Sequence, residues 1–379
     1  MHNKISRVLQ VGMSTNYGGT ESIIYEIYRN IDRTKIQFDF LNVYDEPIAK
    51  QEWLESMGAR ILPLKLKRRE GYLKYLRGIK TFYEEHAHEF DVVVCNVQCL
   101  DQIAMAKYAK KYGVPKTIIH LHNANYGIQP SKLARAAIAW NKRHCHKYVD
   151  QFLACSTLAA KWGFRSKDCK KTTIIKNGVP IEAMRFELNK RSAFRREFGF
   201  GTENRVYGSA GRLDPQKNQL FLLNVFREIA LRDDGARFVL LGRGPLETKI
   251  KETIKEIGLG SKCVLISKID DIGRFYSGID CFLFPSKFEG LGMVLIEAQC
   301  SGLPCLATKG TIPPEVKLRD DFRFLSLDLG PTEWAEEAMK SFEDNQRNIA
   351  YKCVIDAGRD VAETAIDYCE LVLSCKTQG

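Results

Sequence analysis

Residues 284–307 read FPSKFEGLGMVLIEAQCSGLPCLA, and this stretch decides the fold. An apolar strand ends at Phe284, a polar loop containing glycines follows, and a helical pattern starts near Gly292. A further apolar strand, Pro304–Ala307, comes directly after that helix. The order of strand, loop, helix and strand predicts a parallel sheet covered by helices.

The loop in this stretch has the features of an anion-binding site. Gly290 and Gly292 allow a ligand to approach the backbone closely. The amides of Gly292, Met293 and Val294 are expected to lack partners at the helix start, which suits a diphosphate. We therefore predict a phosphate site at residues 290–294.

Two carboxylates accompany this predicted phosphate site. Glu297, inside the helix, could accept hydrogen bonds from the vicinal hydroxyls of a ribose. Glu289, in the loop, could do the same for the hydroxyls of a sugar. Set in a strand–loop–helix frame, the pair predicts a nucleotide-sugar site.

The same alternation of strands and helices runs through nearly the whole chain. Predicted strands of the first series are Arg7–Gly12, Phe38–Val43, Asp91–Asn96, Thr117–His122 and Gln151–Cys155. Those of the second series are Val206–Ala210, Phe238–Leu241, Cys263–Ile266, Cys281–Phe284 and Pro304–Ala307. The predicted class is α/β, with two doubly wound, Rossmann-like domains facing a central cleft that holds the active site. We place the domains at residues 1–183 and 184–357, with a last helical segment at 358–379.

Two cations stand at the start of the second series. Residues 208–218 read GSAGRLDPQKN between a strand and a helix, which places Arg212 and Lys217 at the rim of the second sheet. There they could neutralise a leaving diphosphate as its bond to the sugar breaks. A cation near a helix start opposes the helix dipole, so a partner or ligand is expected.

Two glycine loops are further candidates for ligand contact. Gly18 and Gly19 precede the first helix, where they suit a phosphate or an acceptor. Gly244, in LLGRGPLE, is predicted to lie in a turn near the nucleotide. Neither loop carries the full G-x-G-x-x-G dinucleotide pattern.

Two histidines end an apolar strand in the first half of the chain. In IIHLHN, alternation places His120 and His122 on one face of the strand. His122, nearer the carboxyl end, is the candidate for contact with substrate.

Composition excludes several classes of protein. Hydrophobic residues make up 45% of the chain and charged residues 27%, which is typical of a globular enzyme rather than a disordered chain. No apolar run approaches the roughly 20 residues that span a bilayer. The twelve cysteines are scattered without a paired C-x-x-C, so a disulfide scaffold is not expected. His144, Cys145 and His146 lack the spacing of a closed zinc site, so we expect no metal there.

A net charge of +11 calls for a partner or a solvated basic face. No nucleic-acid-binding motif accompanies it, so nucleic acid is not expected. Basic residues interleave with apolar ones at residues 64–80 and 131–148, predicted as helices. Such helices suit an anionic membrane surface, and two simply solvated helices are the alternative.

Together these motifs resemble family 4 of the retaining glycosyltransferases, particularly bacterial enzymes of exopolysaccharide and capsule synthesis. The residues that carry the resemblance are FEGLGMVLIEA at 288–298, AGRLDPQKN at 210–218, NGVP at 177–180 and the early Gly18–Gly19 loop. It extends from the first strand to the last helix and is most specific in the second half.

The resemblance implies a GT-B fold and metal-independent transfer with retention, from a donor held mainly by the C-terminal domain. It implies that Glu297 binds the ribose, that Glu289 binds the donor sugar, and that His122 contacts the sugar near the reacting centre. Arg212 and Lys217 would hold the diphosphate with the amides of 292–294 and with Gly19. No cofactor is expected, and uridine is the expected base. The leaving phosphate would take the acceptor's proton, and the last helix would pack on the N-terminal domain.

The expected acceptor is a glycan or a polyprenyl-diphosphate-linked sugar, and the expected location is the cytoplasm, at the inner face of the plasma membrane where the basic helices bind. Two alternatives stay open. One is a nucleotide-sugar epimerase or hydrolase of the same architecture, which would release nucleotide and free sugar without an acceptor. The other is a non-catalytic nucleotide-sugar-binding protein, which would not need cations at the leaving group.

Overall fold

The structure is a computed structural model that describes residues 4–64, 71–101, 103–126, 129–340 and 346–374. Two compact units are present, one formed by residues 1–178 with 361–379 and the other by residues 179–360. The predicted boundaries after residues 183 and 357 fall inside the second unit. The reason is a parallel bridge between Val179 and Asp360, which ties the two ends of that unit together.

The described strands are parallel and form two sheets. The strands are β1 Ser6–Val11, β2 Ile36–Asn42, β3 Ile61–Pro63, β4 Val92–Val97, β5 Lys116–Leu121, β6 Gln151–Ala154, β7 Thr173–Ile174, β8 Arg205–Ala210, β9 Ala236–Leu241, β10 Cys263–Ile266, β11 Cys281–Phe284, β12 Cys305–Thr308 and β13 Phe322–Leu325. The first sheet has the order β3-β2-β1-β4-β5-β6-β7 and the second β10-β9-β8-β11-β12-β13. The strand order reverses between β1 and β4 and between β8 and β11, and ligands of such sheets bind at these points.

Helices connect the strands. They are α1 Gly19–Asn30, α2 Gln51–Ser56, α3 Tyr72–His86, α4 Ala104–Lys111, α5 Lys132–His144, α6 Thr157–Gly163, α7 Ser166–Cys169, α8 Ile181–Met184, α9 Leu188–Glu197, α10 Gln219–Arg232, α11 Glu247–Glu256, α12 Ile272–Gly278, α13 Met293–Cys300, α14 Gly330–Met339, α15 Lys352–Asp356 and α16 Val361–Leu373. The predicted α/β class with two doubly wound sheets is confirmed.

The last helix, α16, packs on the sheet of the first unit. Tyr368 is fully buried and its ring centroid lies 6.1 Å from that of Phe38 in β2. Lys116, at the start of β5, donates to the carbonyls of Leu371 at 2.7 Å and Ser374 at 2.9 Å. A cation that bonds the last carbonyls of a helix satisfies them and complements the helix dipole.

Three edge or near-edge strands were not predicted. These are β3, β7 and β13, of three, two and four residues. β3 and β7 are too short for an alternating or apolar pattern to be recognised, and Arg323 interrupts the apolar run of β13. β3 and β7 are defined by pairing with the longer strands β2 and β6, and β13 by pairing with β12, which has the same length.

Candidate active site

The loop after β11 ends at a helix start that is open to an anion. Gly292 precedes α13 with φ +94°, a left-handed conformation that favours glycine. A Cβ at Gly292 would lie only 3.3 Å from Leu295 Cδ1. The amides of Met293 and Val294 lie in the first turn, where the helix supplies no acceptor and carries partial positive charge. The geometry at residues 292–294 suits a phosphate group.

Beside this helix start, Lys217 and Glu289 form an ion pair. Lys217 Nζ lies 2.5 Å from Glu289 Oε1, and Ser286 Oγ donates to the same oxygen at 2.6 Å. The ammonium also lies 4.9 Å from the ring centroid of Phe284. The side chains of Lys217 and Glu289 are 18% and 9% exposed, so water screens the pair little. Lys217 and Glu289, predicted separately as ligands of phosphate and sugar, therefore form one cluster.

A turn before α10 positions Lys217. Asp214 Oδ1 accepts the amides of Gln216 at 3.0 Å and Lys217 at 3.2 Å. Gln216 Nε2 donates to the carbonyl of Phe288 at 2.9 Å, which joins the loop after β8 to the loop after β11. The carboxylate of Glu289 supplies the partner that a cation near a helix start was expected to have.

Arg212 is placed differently from Lys217. Its side chain is 68% exposed, and Nε lies 3.7 Å from the carboxylate of Asp214. The sequence predicted two fixed cations at this rim. In the structure Lys217 is anchored in a largely buried ion pair, whereas Arg212 is mostly exposed and makes only the longer ion pair with Asp214.

Gly244 and its neighbour Gly242 let two loops approach each other. A Cβ on Gly242 would lie 1.9 Å from the carbonyl oxygen of Gly211, and one on Gly244 would lie 2.3 Å from that of Leu213. The Leu213 amide donates to the carbonyl of Arg243 at 2.8 Å. Gly244, predicted beside the nucleotide, thus has a packing role that shapes the loop carrying Arg212.

A buried tyrosine orients the side chain of Glu297 by a hydrogen bond. Tyr276 Oη, in α12, donates to Glu297 Oε2 at 2.6 Å. Burial, and secondly the Glu297 carboxylate, raise the pKa of Tyr276 well above its ordinary value, so its hydroxyl stays protonated. Arg347 fixes Tyr276 in turn by donating to its backbone carbonyl at 2.8 Å. Glu297 is half-buried, one turn beyond the anion site of α13.

In the first unit, a buried glutamate shapes the Gly18–Gly19 loop. Glu21 accepts the amides of Ser14 at 2.9 Å and Gly18 at 3.0 Å and is 5% exposed. Gly18 caps α1 and Gly19 is its first residue. A Cβ on Gly19 would meet nothing within 4 Å, so packing within the protein does not require glycine there. Two hydrogen bonds to Glu21 therefore hold this loop, and the space beside Gly19 is open.

His122 lies just beyond β5, at the carboxyl edge of the first sheet. Its Nε2 lies 2.9 Å from Asn96 Oδ1, and burial lowers the pKa of His122 to about 3. The ring of His120 is fully buried, with a centroid 3.9 Å from that of His122. Burial, and secondly His122, lower the pKa of His120 well below its ordinary value. Both imidazoles are therefore neutral at physiological pH.

The side chains of His144, Cys145 and His146 have separate surroundings. His144 Nδ1 lies 2.8 Å from the carbonyl of Trp140, Cys145 is fully buried, and His146 Nδ1 lies 2.9 Å from Arg165. Over the described part of the chain, no three His, Cys, Asp or Glu side chains are grouped to hold a metal ion.

The basic helices are partly as predicted. Residues 65–70 of the first lie outside the described residues, and α3 starts at Tyr72 rather than at Leu64 because Gly71 caps it. Tyr72 and Leu73 are 59% and 81% exposed. In α5, Leu133 and Trp140 are 85% and 67% exposed, seven residues apart and so on one face. None of the helices within the described ranges is long and apolar enough to span a membrane.

Four residues that shape these sites were not predicted from the sequence. They are Glu21, Asn96, Tyr276 and Ser286. Glu21 could have been found, because Gly18 and Glu21 have the spacing of a capping box. Asn96 stands in the apolar strand VVVCNV, where a polar residue is a weak signal. No local pattern marks Tyr276 or Ser286.

Two family models match successive halves of the chain. The description Glycosyltransferase Family 4 matches residues 17–183, and Glycosyl transferases group 1 matches residues 190–356. The chain belongs to the family 4 glycosyltransferases. The resemblance inferred from the sequence motifs is confirmed.

Individual glycosyltransferases resemble the chain over different lengths. It is 29% identical over 313 residues to EpsF of Bacillus subtilis (strain 168), named as a glycosyltransferase, with 81% of this chain and 80% of EpsF covered. It is 30% identical over 144 residues, 37% of each protein, to the Escherichia coli UDP-Gal:alpha-D-GlcNAc-diphosphoundecaprenol alpha-1,3-galactosyltransferase.

Among solved structures, Anabaena HepE in complex with UDP and glucose has the same fold as this family 4 chain. The TM-score is 0.77 at 20% identity, with 97% of this chain and 99% of HepE covered. The fold is therefore GT-B, as the sequence motifs implied.

Proposed function

We propose that the chain is a retaining glycosyltransferase that uses a UDP-sugar and needs no metal. The observation that carries the proposal is the cluster of Lys217, Glu289 and Ser286 beside the open helix start of α13, with Glu297 one turn further on. A diphosphate at residues 292–294 would meet both a helix dipole and an ammonium. HepE is a protein of the same fold that was crystallised with UDP and glucose, which supports uridine as the base.

In this proposal the protein positions substrates and stabilises charge. Negative charge grows on the leaving diphosphate, and Lys217 lies where it can neutralise that charge, with Arg212 free to swing in from solvent. Glu289 is already held by Lys217 and Ser286, so we assign it to sugar hydroxyls rather than to nucleophilic attack. The leaving phosphate then takes the acceptor's proton at the face from which it departs. His122 is assigned to contact with the sugar.

A thermal-shift screen with UDP, GDP and ADP tests the donor site. A nucleotide at a hundred times its Kd stabilises the folded state by about 2.7 kcal/mol. We expect UDP to raise the melting temperature, and Glu297→Gln to abolish that rise. Glu252→Gln, an exposed carboxylate in the same unit, is the control and should keep it. Well-folded protein that no nucleotide stabilises would refute the donor assignment.

We further propose a glycan or polyprenyl-diphosphate-linked acceptor, met at an anionic membrane surface. The Escherichia coli relative carries a diphosphoundecaprenol-linked acceptor in its name, which supports this class of substrate. Leu133 and Trp140 project from α5 among the exposed cations Lys132, Arg135 and Arg143. An exposed apolar stripe flanked by cations suits the interface of an anionic leaflet.

Liposome co-sedimentation tests the docking surface. The double variant Leu133→Asp/Trp140→Asp should lose binding to anionic vesicles, because it places charge in the apolar stripe. The matched control is Leu231→Asp, a leucine 71% exposed on α10 of the other unit. Binding of the wild type that shows no preference for anionic over neutral lipid would refute the docking.

A further inference from the structure

A series of hydrogen bonds through two buried amides connects Tyr368 of the last helix to His122. Tyr368 and Gln10 are fully buried and Asn96 is 4% exposed. Gln10 Nε2 lies 3.4 Å from Tyr368 Oη, and Asn96 Nδ2 donates to Gln10 Oε1 at 2.9 Å. Asn96 Oδ1 then meets His122 Nε2 at 2.9 Å. All these groups belong to the first unit.

A backbone carbonyl decides which way the Asn96 amide faces. Asn96 Nδ2 lies 3.2 Å from the carbonyl oxygen of Val11, which can only accept a hydrogen bond. Its second hydrogen goes to Gln10 Oε1. Both hydrogens of Nδ2 are thereby used, and the reversed amide would set two oxygens against each other. The atom that Asn96 presents to His122 is therefore its oxygen.

The orientation of Asn96 in turn decides where His122 carries its proton. Asn96 Oδ1 accepts but cannot donate, so His122 Nε2 must bear the hydrogen. A neutral imidazole has one N–H, so Nδ1 is left with its lone pair. The neighbouring His120 ring, fully buried and without hydrogen-bond partners for its nitrogens among the described residues, offers nothing to stabilise an imidazolium.

We propose that Asn96 is a positioning residue that holds His122 as the neutral Nε2–H tautomer, so that Nδ1 accepts a hydrogen bond from a sugar hydroxyl. His122 as a residue is half-buried, so part of it is open to a ligand. This inference rests on the proposed function for the identity of the ligand, whereas the tautomer itself does not. It makes His122 an acceptor toward substrate rather than a proton donor.

The tautomer can be read by long-range ¹H–¹⁵N NMR of protein labelled at its seven histidines. The signals of His122 are assigned by their loss in His122→Gln. We expect a protonated Nε2 and an unprotonated Nδ1 at neutral pH without any ligand. An Nδ1–H tautomer or an imidazolium in the wild type would overturn the proposal, and this measurement needs no variant at Asn96.

Asn96→Leu tests the positioning role. It should release His122 into a mixture of tautomers and lower kcat by about tenfold to a hundredfold, the range found for groups that orient metal-bound imidazoles. Gln37→Leu is the matched control, because it removes another buried amide of the same sheet, bonded to Tyr28 at 2.7 Å. Unchanged tautomer and kcat in Asn96→Leu would refute the role.

The proposed function and this inference fail separately. UDP-induced stabilisation of Asn96→Leu should equal that of the wild type, because most residues assigned to the nucleotide lie in the second unit. The exceptions, Gly18 and Gly19, lie in a loop that is held by Glu21 and not by Asn96. If no nucleotide binds even the wild type, the donor assignment fails while the tautomer remains measurable. If UDP binds and the tautomer differs, the positioning role alone is rejected.

Discussion

Lys217 is held by three groups, namely the Glu289 carboxylate, the Phe284 ring and the turn that Asp214 caps. A cation fixed in this way needs no reorganisation when charge develops on a leaving group, which is the condition for strong electrostatic catalysis. The partner Glu289 is 9% exposed, so loss of the ammonium also leaves a poorly solvated carboxylate. The residue therefore contributes to both the site and its stability.

Lys217→Met should lower kcat by roughly a hundredfold to a thousandfold, or about 3–4 kcal/mol of transition-state stabilisation. The KM for the donor should rise much less, because the cation acts on charge that appears during the reaction. Steady-state kinetics below the melting temperature of the variant measure both constants. Lys287→Met, an exposed cation of the loop after β11, is the control. A raised KM with unchanged kcat would contradict the assignment.

At the scale of elements, the loops after β8 and β9 pack closely because the glycines at their contact have no side chains. Gly242→Ala would bring a Cβ to 1.9 Å from the backbone oxygen of Gly211, at a φ of +152° that alanine rarely adopts. Relief requires backbone movement, and overpacking of this kind costs about 1–3 kcal/mol. We expect a lower free energy of unfolding and weaker nucleotide binding, because Gly211 begins the loop of Arg212 and Lys217.

Urea unfolding and UDP titration measure these two effects. Gly260→Ala provides the comparison, since a Cβ there meets nothing within 4 Å. If Gly242→Ala unfolds like Gly260→Ala, the close approach of the two loops does not exist in solution.

The two histidines at the end of β5 predict how the free energy of unfolding depends on pH. Burial keeps His120 and His122 neutral in the folded state, whereas both protonate near pH 6.5 when unfolded. Below pH 6.5 the unfolded state binds more protons, so the free energy of unfolding falls as pH falls, until His122 protonates near pH 3. Above about pH 7 the pair contributes no pH dependence.

Between pH 7.5 and 5.5, each histidine should cost about 1.4 kcal/mol of stability. Urea unfolding of the wild type and of His120→Leu at the two pH values measures this difference. The variant should lose roughly half of the dependence. Equal dependence in both proteins would show that His120 is not neutral and buried.

For the whole molecule, the helix α16 belongs to the first unit although it follows the second unit in the sequence. The fully buried Tyr368 of α16 packs against Phe38 and lies near Gln10 of β1. Tyr368→Ala removes a large buried ring and should lower the free energy of unfolding of that unit by about 3–5 kcal/mol. Differential scanning calorimetry with and without UDP measures the change and assigns it to a unit. Ile366→Ala, 59% exposed on the same helix, should change little.

The sequence by itself determined the fold class, the family and ten of the thirteen described strands, and it suggested the chemistry proposed for the second unit. Strands of parallel sheets are buried on both faces, so most of them appear in the sequence as continuous apolar runs. Residues 288–298 and 210–218 could be recognised as a candidate site for a different reason. They place glycines, cations and carboxylates at the carboxyl ends of strands, where ligands bind.

The tertiary structure decided which of these residues touch. Lys217 and Glu289 are 72 positions apart and share one contact of 2.5 Å, whereas Arg212, five residues before Lys217, stays in solvent. Asn96 and Gln10 are 86 positions apart, and their contact sets the proton of His122. Sequence patterns report local periodicity and local backbone conformation. Contacts between distant positions depend on strand order and register, which form only when the sheet is assembled.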